Sequence, residues 1–211
     1  MLNVKSIYPF ICLMALIVVA SNYLVQFPVN FMIGDYNLAD LLTWGAFTYP
    51  IAFLITDMTN RKFGAKNARI VVLAGFLIAV GLSIWLATPR IAIASGTAFL
   101  VAQLLDVSIF NSMRSASWWR APLISSIIGS VVDTLLFFSI AFAGTFGFLG
   151  FEDGFAMEVA PLLGLFAAET PRWVSWALGD LGVKLIVGFA MLVPYGIALP
   201  YLTSKSQAQA A

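Results

Sequence analysis

Asp106 and Asp133 stand in matching settings, Ala-Gln-Leu-Leu-Asp106-Val-Ser-Ile-Phe and Gly-Ser-Val-Val-Asp133-Thr-Leu-Leu-Phe, inside stretches otherwise apolar enough to dissolve in lipid. A carboxylate near a bilayer centre costs roughly 2.5–3.5 kcal/mol on insertion scales, so such residues face a cavity, a partner charge or a polar ligand. Asp180 and Lys184 repeat the pattern further on, spaced one helical turn apart. Left unpaired, these four groups would cost about 10–14 kcal/mol, comparable to the whole stability of an ordinary protein. Two kinds of chemistry are open to them. An ionised carboxylate can accept two N–H donors from the edge of a flat heterocycle, and two carboxyls sharing a proton can act as an aspartyl hydrolase. The second is a remote alternative. Leu-Leu-Asp106 and Val-Val-Asp133 lack the Tyr-Asp and Gly-x-Gly-Asp settings of intramembrane aspartyl proteases, and Leu178-Gly179-Asp180 is only a fragment of the latter. The chain is therefore read as a binding or transport protein and not as an enzyme.

The elements that must position these groups follow from composition. With 61% hydrophobic and 10% charged residues and a mean hydropathy of +0.96, the chain is an integral membrane protein. Lys and Arg number 11 against 10 Asp and Glu, which leaves no basic surface for a nucleic-acid polymer. Histidine is absent, which excludes imidazole metal sites and His-based triads. There is no Gly-x-x-x-x-Gly-Lys-Ser/Thr loop for nucleotide hydrolysis, and no cofactor is implied. The lone Cys12 lies in the first apolar run, where packing is its expected role.

A spanning helix needs about 20 mostly apolar residues. That ruler predicts an all-α, six-helix bundle in one domain, residues 1–211, with helices near 7–27, 38–56, 70–88, 91–112, 123–147 and 173–200. The first is kept as a helix because no Ala-x-Ala cleavage site follows it. Thr88-Pro89-Arg90 is short enough to make the third and fourth helices a hairpin. Residues 148–172, with Glu152, Asp153, Glu158 and Glu169 among apolar neighbours, read as an external loop containing an interfacial helix.

Lys5, Arg61, Lys62, Lys66, Arg69, Arg114, Arg120 and Lys205 all fall on one side of such a bundle, against Arg90 and Arg172 on the other. By the positive-inside rule both termini are expected in the cytoplasm. Gln103 and Asp106 share one helix face, and Ser126, Ser130, Asp133 and Phe137 form a stripe on the next. Each acid also has a purely structural reading: interhelical hydrogen bonding for Asp106 and Asp133, an intrahelical ion pair for Asp180 with Lys184. Ser126, Gly129 and Ser130 read as close-packing residues, Trp118-Trp119-Arg120 as an interfacial belt, and the run Arg61 to Arg69 as a topology determinant. Small-residue faces permit association into a homodimer, and membrane lipid is the expected surroundings.

Several motifs in order carry a family resemblance. They are Ser21-Asn22-Tyr23-Leu24-Val25-Gln26-Phe27-Pro28-Val29, Thr43-Trp44-Gly45-Ala46-Phe47, and Thr56-Asp57-Met58-Thr59-Asn60-Arg61-Lys62-Phe63-Gly64-Ala65. Gln103-Leu104-Leu105-Asp106-Val107, Ile109-Phe110-Asn111, Trp118-Trp119-Arg120-Ala121-Pro122, Asp133-Thr134, and Lys184 with Pro194-Tyr195-Gly196 complete the set. Together, from about residue 21 to 196, they resemble the queuosine precursor transporter family, also called vitamin-uptake-transporter-like.

The resemblance implies uptake of 7-deazaguanine bases, the cyano and aminomethyl precursors of queuosine in tRNA, across the bacterial inner membrane. It also implies a fold similar to the substrate-binding subunits of energy-coupling-factor transporters, and hence an alternative in which the chain docks on a separate ATPase complex. Asp57, Gln103, Asp106, Asp133 and Lys184 match motif residues, with Asn22 and Trp44 beside them. Ser130 stands where the family pattern has Asn, and Leu181, Gly182 and Val183 replace expected aromatics. A guanine-like edge suits a carboxylate at Asp133 or Asp106. Its carbonyl suits a donor such as Lys184, Gln103 or a serine, and its rings suit Trp44, Phe47, Phe110 or Phe137, where stacking contributes about 1–3 kcal/mol. A bundle glued by polar residues and serving only as an assembly subunit is the third reading, and it predicts no small-ligand binding.

Overall fold

A computed structural model describes residues 7–34, 36–150 and 152–203. Lys5 and Lys205, used above to orient the chain, lie outside the described residues. The chain is mostly helical and has the make-up of a multi-pass membrane protein. Among the described residues, four helices are long and apolar enough to cross a bilayer: α4 (Ala65–Leu86), α5 (Pro89–Ser112), α6 (Arg120–Phe142) and α8 (Arg172–Leu202). α1 (Tyr8–Leu24) is apolar but shorter.

The helix expected over 38–56 takes a different form. A 3-10 turn at Leu38–Asp40 precedes α2 (Trp44–Thr48), and α3 (Ile51–Phe63) continues seven residues past the expected end. Pro50 explains the division, because it has no N–H to return to the carbonyl one turn earlier. α3 reaches on into the charged segment because its polar residues are inside. Thr56, Asp57, Thr59, Asn60 and Arg61 are all buried.

α1, α4, α5, α6 and α8 pack in that order as an incomplete ring, α3 touches every one of them from within, and α2 bridges α1 and α8. Small residues let the helices approach. Ala68, Val71, Val72, Gly75, Ala79 and Ser83 form one buried stripe on α4, and a Cβ on Gly75 would come within 2.7 Å of Met14. Cys12, expected to pack inside, instead lies exposed on the outer face of α1.

The corners are set by local chemistry. Thr88 accepts from the Ile91 N–H, and Pro89 starts α5 in the position where its missing N–H is harmless. Gly64, at φ +81°, turns α3 directly into α4. Arg90 is buried at the base of that α4–α5 hairpin and donates to the carbonyls of Ile140 (2.9 Å) and Ala143 (2.6 Å) at the end of α6. The negative end of the α6 dipole thus faces a guanidinium that has no acidic partner among the described residues.

At the other end, Arg61 donates to the Arg114 carbonyl (2.7 Å) and to the Tyr195 hydroxyl (2.7 Å), while Arg114 donates back to the Arg61 carbonyl (2.5 Å). The end of α3 and the segment after α5 therefore meet through these two basic residues. Arg61 is not a free loop charge, however. It is buried, with its guanidinium 5.0 Å from the Phe110 ring centre. Trp118 and Trp119 are partly exposed at that end, and Arg120 lies over the Trp119 ring.

Between α6 and α8 the chain forms a 3-10 segment (Gly144–Leu149), the single-turn α7 (Gly154–Met157) capped by Asp153, and an antiparallel ribbon pairing Val159 with Pro171 and Ala160 with Thr170. Phe148, Leu165 and Phe166 are exposed on it.

Candidate functional site

A cavity of about 580 Å³ occupies the half of the bundle toward Arg90 and Arg172. Its volume falls within the roughly 300–1,000 Å³ of ordinary ligand pockets. Its walls come from the second half of α1, residues 39–49, the end of α4, the first half of α5, the second half of α6 and the start of α8. Aromatic rings line the wall shared by α6 and α8. Phe137, Phe138, Phe142 and Trp176 all contribute, and the Trp176 indole packs edge-on to Phe142 with centres 5.6 Å apart.

The charged groups of the cavity gather at one place. Lys184 Nζ donates to Asp133 Oδ2 (2.6 Å), Asp180 Oδ2 (2.5 Å) and Thr134 Oγ1 (3.2 Å). Its three N–H bonds are then all spent. The Tyr49 hydroxyl donates to Asp133 Oδ1 (2.8 Å), the Tyr49 ring lies under the ammonium at 5.2 Å, and the Thr134 hydroxyl donates to Asp180 Oδ2 (2.9 Å). One cation and two carboxylates leave a net charge of −1 if all are ionised. The Asp180 side chain is the most open of the three, 16% exposed against 5% for Lys184 and 6% for Asp133. Its carboxylate is therefore the most accessible acceptor of the cluster from the cavity. Asn22, whose amide donates to the Val18 carbonyl (2.8 Å), stands on the α1 wall.

The chain was compared with known proteins. The family model described as "Putative vitamin uptake transporter" matches residues 43–88 and 81–198. A protein of Escherichia coli K12 named "Queuosine precursor transporter" is 35% identical over 90% of this chain and 85% of its own length. The "Probable queuosine precursor transporter" of Haemophilus influenzae is 33% identical over the same shares. That of Bacillus subtilis is 26% identical over 49% of this chain and 58% of its own. The chain belongs to the queuosine precursor transporter family. No solved structure matches it.

In this family member, Asn22, Asp133, Phe137, Asp180 and Lys184 of the residues singled out from sequence line the cavity, and Trp44, Phe47, Asp57, Gln103, Asp106, Phe110 and Ser130 do not. Trp44 is about half exposed, stacked at a tilt on Phe47 with centres 5.7 Å apart. Ser130 is buried within the α6 face, beside Gly129, whose position a Cβ would carry to 2.7 Å from Phe53.

Asp57, Gln103 and Asp106 form a second buried polar group at the seam of α3, α5 and α6. Thr56 donates to Gln103 Oε1 (2.6 Å), and Ser125 and Ser126 donate to the two Asp57 oxygens (3.3 Å each). Asp106 and Asp133 therefore belong to separate clusters, an arrangement unlike a catalytic dyad. Tyr49 and Trp176 went unnoticed in the sequence, because an aromatic in an apolar chain carries no signal of its own. Asp180 was visible as an intramembrane acid, but its spacing to Lys184 gave it an intrahelical ion pair.

Proposed function

We propose that this chain imports 7-deazaguanine bases, the cyano and aminomethyl precursors of queuosine, across the bacterial inner membrane, with both termini in the cytoplasm. The observation that carries the reading is the Asp133–Lys184–Asp180–Tyr49 cluster set at one side of an aromatic-walled cavity, in a chain whose relatives carry that name. A carboxylate matched to the N–H and NH₂ of a guanine-like edge accepts both, and it meets an acceptor on the adenine edge. Asp180 and Asp133 are the acceptors, Asn22 is a polar contact on the opposite wall, and the α6 and α8 aromatics hold the rings. Lys184 fixes the two acids in place.

On this reading the chain crosses the bilayer six times, by α1, the broken α2–α3 pair, α4, α5, α6 and α8, in the manner of energy-coupling-factor substrate-binding subunits; the four long apolar helices α4, α5, α6 and α8 support it. A stand-alone carrier is favoured over a docked module. The outward face of α1 carries Leu13, Leu16, Val19 and Tyr23, all large, where docking on another helix favours small side chains.

The test is uptake of labelled 7-cyano-7-deazaguanine by liposomes containing the purified protein, with guanine and adenine as competitors. Uptake with competition by guanine and not by adenine is expected. No uptake, together with no thermal stabilisation by either precursor, would overturn the proposal.

A further inference from the structure

Asp57 and Asp106 are 1% and 0% exposed and face each other across the α3–α5 seam. The Ser125 and Ser126 hydroxyls of α6 donate to the two Asp57 oxygens at a long 3.3 Å each, Ser125 standing between Asp57 and Asp106, and both buried Asp106 oxygens are left without a donor in full hydrogen-bonding geometry. Two facing carboxylates repel each other, and a buried one without a donor is heavily penalised. A proton held between them removes both faults, since a carboxylic O–H is the one donor that the pair can supply to itself. Further unpartnered atoms lie along the same seam. Gln103 Nε2, on the Asp106 face of α5, has no acceptor, and Asn60 Oδ1, one turn beyond Asp57, has no donor. Both side chains are fully buried, and each is anchored by its other atom, Gln103 to Thr56 and Asn60 to the Val107 carbonyl.

The surroundings are defined on every side. Arg61, one turn along α3, is committed to Tyr195 and the Arg114 carbonyl. Tyr195 from α8 and Arg114 at the end of α5 are the other charged or titratable neighbours. α6 offers the hydroxyls of Ser125 and Ser126, and α1 and α4 meet α3 through Met14, Val18, Ala68, Val71 and Val72. Ser126 precedes Asp133 by seven residues, about 10 Å along the helix. The pair is thus a separate site, stacked beyond the cavity's charged cluster toward the basic end of the bundle.

We infer that Asp57 and Asp106 bind one exchangeable proton between them and that this proton drives accumulation of the cargo. The inference rests on the transport reading above, and it adds a chemical site that the cavity does not contain. Proton binding converts the pair from −2 to −1. That change removes a negative charge close to the Tyr195 hydroxyl, which accepts from Arg61, and so reaches the contact that ties α3 to α8.

Two measurements test it. In the infrared spectrum of the purified protein, the carbonyl stretch of a buried protonated carboxyl is expected in the wild type and absent from D57N/D106N. Its absence from the wild type, or its persistence in the double variant, would overturn the inference. In liposomes, a pH gradient of one unit, alkaline inside, is expected to accumulate labelled 7-cyano-7-deazaguanine up to about tenfold for one proton per base. D57N and D106N are expected to keep exchange of labelled for unlabelled base but to accumulate none. Equal accumulation with and without the gradient, or accumulation driven by a sodium gradient alone, would overturn the proton assignment. If the variants lose exchange too, the wild-type comparison alone decides. If the wild type passes no base at all, the transport reading has failed, and the infrared band still decides whether the pair holds a proton.

Discussion

Lys184→Met and Asp133→Asn touch the same hydrogen bond, yet they are expected to differ sharply in stability. Lys184 lies between two buried acids, at 2.6 Å from Asp133 and 2.5 Å from Asp180. Removing it strands two carboxylates with only the Tyr49 and Thr134 hydroxyls as donors. Breaking a buried pair by deleting one partner costs about 3–5 kcal/mol. Asp133→Asn keeps the shape and the acceptor for Tyr49, and it leaves Lys184 paired with Asp180. Its cost is the difference between a charged and a neutral hydrogen bond, about 1 kcal/mol. At about 2–4 °C per kcal/mol for a chain of this size, K184M should melt on the order of 10 °C below wild type and D133N only a few degrees below. Thermal denaturation in detergent, followed by fluorescence-detected size exclusion, reads both. Adding D180N to K184M should recover part of the loss, because it removes one stranded charge. Equal melting of K184M and D133N, or further loss on adding D180N, would refute the claim that the lysine balances two acids.

Other expectations follow from the same coordinates. Gly129→Ala should cost about 1–3 kcal/mol by overpacking, since its Cβ meets the Phe53 ring at 2.7 Å; thermal melting of this single variant is the check. Arg90→Met should cost about 1.5–3 kcal/mol for each lost bond to the Ile140 and Ala143 carbonyls. Arg90→Lys should fall between it and wild type, because one ammonium keeps the charge without the fork. The net −1 of the Asp133, Asp180 and Lys184 cluster should favour the aminomethyl base, cationic at neutral pH, over the neutral cyano base. Competition between the two for uptake measures this, and equal potency at low ionic strength would count against a charged cluster at the binding position.

Four long apolar helices were legible because lipid imposes one rule on every residue of a span, and averaging over twenty residues makes it robust. The region 38–56 was not, because its form depends on Pro50 and on polar residues of α3 whose partners lie up to 134 positions away, as Arg61 and Tyr195 do. The intramembrane acids were conspicuous by cost alone, and their existence was readable one by one. Their grouping was not. Asp106 and Asp133 have look-alike local sequences, yet one meets Asp57 and the other Lys184, because the α5 and α6 faces that carry them point to different neighbours. Helical periodicity tells which residues share a face, and only the packing of helices tells what that face meets.

The reciprocal bonding of Arg61 and Arg114 has a consequence for how cargo would leave. Each arginine holds the other's carbonyl, and Arg61 grips Tyr195 as well, so the end of the bundle away from the cavity is latched by three strong bonds that share two side chains. If the Arg61 side chain swings away, its bonds to Tyr195 and the Arg114 carbonyl are lost together, while Arg114 keeps its bond to the Arg61 main-chain carbonyl, so α8 is released before α3 parts from the end of α5.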